Sequence, residues 1–408
     1  MRILRALFRP LIRASAFMRA EVFEILRQPR LILTLVLGPF LILLLFGIGF
    51  RNSARPLRTT FVVDNGDPLS QEIEQMAPSL GPQLVFKGVT SDKQAALDEL
   101  KAGQVDLVAV APPGAMDSVK NNQQATFTLY HNEIDPVQVN YIKYFGQTYM
   151  DEVNRRVLST VIKESTAGVP TKVDPAVMVS PFVAKTESIA PVQPTIMGFY
   201  APAVIVLLLQ HLAITFGALS IVREARLGTL ELFRVSPLNA GEALIGKYIS
   251  YLVFAAILGA VLTLLVLYGL GVPLLGDPRY YALTVAALIF AALGYGFVVS
   301  LISQTDSQAV QYSMLLLLAT VFFSGFFMRL DQLWEPIRVV SYALPGTYGI
   351  LLLQNIMLRG TFTGPYTPLE ALSNPLASDA GMLYALAGMG VVLFFVALLL
   401  LRRRMARG

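Results

Sequence analysis

Six stretches of this chain carry no Asp, Glu, Lys or Arg: Leu31–Phe50, Ile196–Val222, Tyr248–Gly276, Tyr280–Thr305, Ser307–Met328 and Ala380–Leu401. At 1.5 Å of rise per residue, each is long enough as a helix to cross roughly 30 Å of hydrocarbon. Backbone polar groups cannot stay unpaired in lipid, so runs of this kind fold there as helices. Of the 408 residues, 55% are hydrophobic and only 14% charged, against about 25% charge in an ordinary globular chain. A soluble enzyme and a nucleic-acid-binding protein are both poor fits. The fold class expected is a polytopic α-helical membrane protein with six transmembrane helices: 31–50, 196–222, 248–272, 280–303, 309–328 and 381–401.

The charges that do occur are sorted by position. Residues 1–30 hold seven Arg against Glu21 and Glu24, and the tail 402–408 adds Arg402, Arg403, Arg404 and Arg407. Segment 51–195 carries 13 Lys and Arg against 16 Asp and Glu. Lys and Arg stay on the cytoplasmic side of a membrane. Both termini are therefore expected inside, with 51–195 and 329–360 outside and the loop 223–247 inside. Only an even number of spans satisfies both basic ends. Residues 1–30 mix Arg with Leu4, Leu7, Phe8, Leu11 and Ile12 at helical spacing, the pattern of an amphipathic interface helix. The apolar run 31–50 is too long for a cleaved signal peptide and reads as a signal anchor.

The 51–195 segment has the pattern of a folded domain. Thr59–Val63, Leu84–Val89, Val105–Ala111 and Ala125–His131 read as strands, and helices are expected from Ser70, over 92–102 behind a Ser91 cap, and over 137–164. Strands alternating with helices predict an inserted α/β domain with a partly parallel sheet. The Pro-bearing stretch 169–194 reads as an extended return to the membrane. Apolar 334–357, broken by Pro336 and Pro345, reads as a re-entrant or interfacial helix pair.

Residues able to do chemistry are scarce. The chain has no Cys and two His, His131 and His211, so neither a thiolate nor a clustered metal site is expected. Gly241 to Lys247 matches seven positions of a phosphate-binding loop. Tyr248 stands where the Mg²⁺-binding hydroxyl belongs, and no strand precedes Gly241. No Asp, Glu, Lys or Arg lies within a predicted span to relay protons or hold ions, and no selectivity filter is evident. Uphill transport by such a chain would draw its energy from a partner. Gln210 and His211 inside the second span, and Phe322, Phe323, Phe326 and Phe327 around Gly325, are the candidate substrate-path residues. Their alternatives are an interhelical hydrogen bond for the first pair and interface anchoring for the aromatics.

The loop between the second and third spans reads Ser220-Ile-Val-Arg-Glu-Ala-Arg-Leu-Gly-Thr-Leu-Glu-Leu-Phe-Arg-Val-Ser-Pro-Leu238. It resembles the signature of type-2 ABC exporter permeases through Arg223, Glu224, Gly228, Thr229, Leu230, Glu231, Ser236, Pro237 and Lys247. Ser341, Tyr342, Leu344, Pro345, Tyr348, Arg359 and Gly360 match between the last two spans. Val62–Ser70 and Ala102–Val110 resemble the subgroup with a large extracytoplasmic insertion after the first span. The Arg226-Leu227 pair departs from the charged pair usual there.

The resemblance implies a permease that works as a dimer, with a second identical or paralogous protomer. It also implies that a separate ATPase subunit binds ATP and Mg²⁺, so this chain needs no cofactor of its own. Coupling to that subunit is implied for a short helix at about 225–233, within the set Arg223, Glu224, Arg226, Leu227, Gly228, Thr229, Leu230, Glu231, Phe233, Ser236 and Pro237. The location implied is the bacterial inner membrane, with lipid around the spans and a possible periplasmic adaptor. A path without fixed charges suits hydrophobic or amphipathic cargo. The competing reading is a non-transporting receptor or scaffold acting through the extracytoplasmic domain.

Overall fold

The computed structural model describes residues 56–67, 69–76, 84–121, 123–164, 180–228, 240–362 and 378–406. The first predicted span and the amphipathic segment before it lie outside these residues. The chain divides into two compact units, one within Asn52–Phe199 and the other from Tyr200 onward.

The first unit is an α/β sandwich. Its elements are β1 (Leu57–Val62), α1 (Leu69–Met76), β2 (Leu84–Thr90), α2 (Lys93–Lys101), β3 (Leu107–Val110), α3 (Ala115–Lys120), β4 (Ala125–His131), α4 (Pro136–Glu164) and β5 (Phe182–Ser188). The strand order is β2-β1-β3-β4-β5. The β1/β2, β1/β3 and β4/β5 pairs are parallel and β3/β4 is antiparallel. Successive side chains of a strand point to opposite faces, and both faces are covered. Phe61, Leu107, Ala109, Phe127 and Leu129 pack against Leu69, Ile73, Ile142 and Phe145 on one side. Val62 and Val108 pack against Ala96 and Leu100 on the other.

Two details correct the reading by sequence. The α2 cap is Asp92 and not Ser91, its carboxylate accepting from the N–H groups of Gln94 and Ala95 at 2.9 and 3.0 Å. The 169–194 stretch also contains a fifth strand, whose start is sewn to α4. Asn154 donates to the Phe182 carbonyl and accepts from its N–H, both at 2.9 Å.

The second unit holds α5 (Ile196–Arg226), α6 (Ala240–Leu264, continued by a π-helical turn to Gly269), α7 (Pro278–Ile302), α8 (Asp306–Phe323), α9 (Glu335–Tyr342), α10 (Pro345–Gln354, continued by a π turn to Arg359) and α11 (Asp379–Ala406). Among the described residues four helices are long and apolar enough to cross a membrane: α5, α6 with its π turn, α7 and α11. The pair α9–α10, bent by 85°, raises this to five if it counts as one span. The helix α8 is not among them and ends at Phe323, short of the predicted 328. Asp306, Gln308 and Gln311 make its first turns polar, and Gly325 at φ +91° turns the chain away soon after its end.

More than half of the most apolar stretch of α5 and of α7 is buried, against about a fifth of that of α6 and of α11. The α5–α7 crossing is set by two glycines. A Cβ on Gly296 would lie 2.5 Å from the Ile214 carbonyl oxygen and 2.9 Å from the Gly217 Cα. Small residues permit this approach in membranes, where packing replaces the hydrophobic drive.

Contacts sort the helix ends into two groups. Asp306 at the start of α8 meets Arg223 and Arg226 at the end of α5, and Arg404 in α11 reaches the last turn of α7. At the other end, the N–H groups of Leu275 and Gly276 donate to the carbonyls of Met357 and Ile356 at 3.1 and 2.9 Å. Asn355 donates to Asp379 at 2.8 Å, and Tyr200 meets Phe326 edge to face at 5.7 Å. The segment that leaves α8 and the end of α10 thus lie at the same end of the bundle. The α9–α10 pair dips inward and returns.

The turn between α9 and α10 places a helix C-terminus at the tip of that dip, where carbonyls lack intrahelical donors. Three hydroxyls satisfy three consecutive carbonyls. Thr347 donates to Ser341 at 2.6 Å, Tyr348 to Tyr342 at 2.9 Å, and Tyr295 of α7 to Ala343 at 2.5 Å.

Candidate functional site

The end of α5 is built by a left-handed glycine. Gly228 has φ +75°, and no atom lies within 4 Å of the position its Cβ would take. Any other L-residue there would pay backbone strain of roughly 1–2 kcal/mol, and glycine after the last helical turn is a common helix stop. The Leu227 N–H still donates to the Arg223 carbonyl at 2.9 Å, while the Leu227 side chain is 77% exposed. An apolar side chain thus projects from the helix end, next to the point where the chain leaves it.

Charges brace the same turn. Arg223 and Arg226 pair with one oxygen of Asp306 at 3.5 and 3.4 Å. Lys247 of α6 pairs closely with Glu224 and donates to Ser220 at 3.1 Å. The stretch Gly241–Lys247 is helical within α6, so its resemblance to a phosphate-binding loop does not extend to the backbone. Of the predicted coupling residues, the structure places Arg223, Glu224, Arg226, Leu227 and Gly228 together. Thr229, Leu230, Glu231, Phe233, Ser236 and Pro237 lie outside the described residues.

The predicted substrate-path residues separate into two places. Gln210 is buried at mid-bundle, where its amide donates to Thr320 of α8 at 2.7 Å. A Cβ on Gly346 of α10 would meet Thr320 and come within 2.6 Å of the Gln210 carbonyl oxygen, so three helices converge on this one side chain. His211 is half-buried on the next position of α5, and its Nδ1 has no hydrogen-bond partner among the described residues. Phe323 is buried among Leu333, Ile337 and Leu344, with Phe322 against the same cluster. Phe327 is 59% exposed and meets Phe322 edge to face at 6.0 Å.

Sequence reasoning missed Asp306 and Thr320 as partners of the candidate residues. Asp306 carried a signal: it is the lone charge between two apolar runs. Thr320 carried none, since a hydroxyl inside an apolar run is common.

A family model described as ABC-2 family transporter protein matches residues 29–399. The chain belongs to the ABC-2 transporter family. It is 22% identical over 355 residues to the probable multidrug ABC transporter permease YbhS of Escherichia coli (strain K12), covering 85% of this chain and 89% of that protein. Similarity to the inner membrane transport permease YhhJ of the same strain is 29% over 150 residues, 36% of this chain and 40% of the relative. The ABC transporter G family member 20 of Dictyostelium discoideum is 27% identical over 177 residues, 41% of this chain and 24% of that protein. No solved structure matches. The ABC-2 chain is a multi-pass transport permease subunit of an ABC transporter, a family whose permeases work with an ATPase subunit.

Proposed function

We propose that this ABC-2 permease is the membrane subunit of an ATP-driven exporter, and that a separate ATPase docks on the α5 end and the 229–239 segment that follows it. The observation that carries this reading is the Leu227–Gly228 stub. A braced helix turn ends in a left-handed glycine and an exposed leucine where the family-like Gly-Thr-Leu-Glu run begins. A short apolar segment presented on a rigid helix end suits a groove in a partner. ATP binding in that partner would bias the bundle between two arrangements.

The reading includes six crossings with both termini in the bacterial cytoplasm and the α/β unit outside, as the Arg distribution requires. It includes a second protomer, identical or paralogous. The cargo is hydrophobic or amphipathic, a class supported by the uncharged span interiors and by the word multidrug in the name of YbhS. Gln210 and Thr320 then serve first as the hydrogen bond joining α5 to α8.

The test is ATP turnover by the purified complex of this chain with its ATPase. Glu231→Arg and Gly228→Pro should abolish the permease-dependent part of turnover while both variants remain membrane-inserted. Full turnover in both variants would refute the assignment.

A further inference from the structure

The α5 turn that ends at Gly228 is held by a side chain from another helix. Ser300, fully buried near the end of α7, accepts hydrogen bonds from two consecutive backbone N–H groups of α5, Ile221 at 3.0 Å and Val222 at 2.9 Å. A hydroxyl that accepts from two N–H groups of a neighbouring helix ties the two backbones directly together. Ser300 lies four residues past Gly296, and Ile221 lies four past Gly217. The bond therefore sits one turn along from the place where α5 and α7 touch backbone to backbone.

Ser300 is itself anchored. Arg404 of α11 donates to the carbonyls of Ser300 and Leu301, both at 3.3 Å, and a cation is favourable at a helix C-terminus. Its neighbours Arg402 and Arg403 are exposed. The three arginines look alike as orientation signals, yet the fold gives one of them a specific seat. A continuous chain of contacts runs from α11 through α7 to the last turn of α5.

We propose that Ser300 and Arg404 are positioning residues which fix the direction of the last α5 turn, and so the aim of the segment that engages the ATPase. The inference rests on the coupling reading given above. If α5 were free to rotate beyond Gly217, movement of the docked segment would dissipate within one turn. Held by Ser300 it passes to α7 and α11 together.

The experiment uses the full chain with its ATPase in lipid nanodiscs and two readouts: amide hydrogen exchange over residues 217–226, and ATP turnover resolved into kcat and KM. Ser300→Ala removes the acceptor of two N–H groups. Exchange at Ile221 and Val222 should rise about tenfold, the equivalent of roughly 1.4 kcal/mol. The permease-dependent increment in kcat should fall about tenfold with KM for ATP unchanged. Ser300→Thr, which keeps the hydroxyl, should restore both. Arg404→Gln should move both in the same direction, and Arg403→Gln, which removes an equal charge, neither. Should Ser300→Ala fail to insert, the Arg404→Gln and Arg403→Gln pair decides on the same readouts. Unchanged exchange in Ser300→Ala, or faster exchange with an unchanged kcat increment, overturns the proposal. Gly228→Pro separates the two ideas: if it too leaves turnover intact, the coupling site itself is wrong.

Discussion

Gly296→Ala adds a single methyl group where α7 crosses α5. Its Cβ would sit 2.5 Å from the Ile214 carbonyl oxygen, 2.9 Å from the Gly217 Cα and 3.1 Å from the Ala218 nitrogen. All three are backbone atoms of α5, so no side chain can swing aside, and the helices must part by about 1 Å to reach ordinary carbon contact. Overpacking of this kind costs about 1–3 kcal/mol, and the better helix propensity of alanine returns about 1 kcal/mol. The comparison is Gly388→Ala in α11, where no atom lies within 4 Å of the new Cβ and only the propensity gain remains. The propensity gain is common to both, so the two variants should differ by about 1–3 kcal/mol, or roughly 2–12 °C in the apparent midpoint of thermal unfolding. Size-exclusion chromatography of the heated, detergent-purified chain reads this. Equal midpoints for both variants would show that α5 and α7 do not meet at these glycines.

Other outcomes follow from the same geometry. In a double-mutant cycle with Gln210→Leu and Thr320→Val, the coupling energy should be about 0.6–1.7 kcal/mol, the range for hydrogen bonds between membrane helices; zero coupling would show that the bond does not form. Lys247→Met should destabilise the chain by about 1–3 kcal/mol by leaving Glu224 without its partner, and adding Glu224→Gln should recover most of that loss in the same unfolding assay. His131 ends β4 fully buried, and desolvation holds its pKa below the usual histidine value against the opposing charge of Glu133, while Lys143 adds to the lowering. The unfolded state then binds the proton more readily. The α/β unit should lose stability as pH falls from about 6.5 toward the lowered value, by up to about 1.4 kcal/mol per pH unit. His131→Gln should flatten that slope in urea titrations between pH 7 and 5.5.

The sequence showed most where the physics is one-dimensional. Absence of charge over about 20 residues marks α5, α6, α7 and α11, and an alternating or continuous apolar run marks each of the strands β1 to β4. It failed where a choice depended on neighbours in space. Ser91 and Asp92 are both good caps, and only backbone direction selects Asp92. The β5 strand hid in a Pro-bearing stretch because it is defined by pairing with β4, 57 positions back, and by the Asn154 side chain at its start. The lower apolarity of α8 follows from a polar first turn that meets Arg223 and Arg226 instead of lipid. At the candidate site, Leu227 and Gly228 were legible as a motif. Ser300 and Arg404 were not, because hydrogen bonds over separations of 79 and 104 residues leave no trace in local pattern.

The central claim is that the Leu227 end of the bundle receives an ATPase. The chain contains no cysteine, so a single photoreactive maleimide label can be placed at will. The decisive measurement compares label at Leu227→Cys with label at Tyr268→Cys, which is 83% exposed near the far end of α6. The account predicts a covalent adduct with the co-purified ATPase from residue 227 and none from residue 268. An adduct from 268, or none from 227 in a complex that hydrolyses ATP, would contradict it.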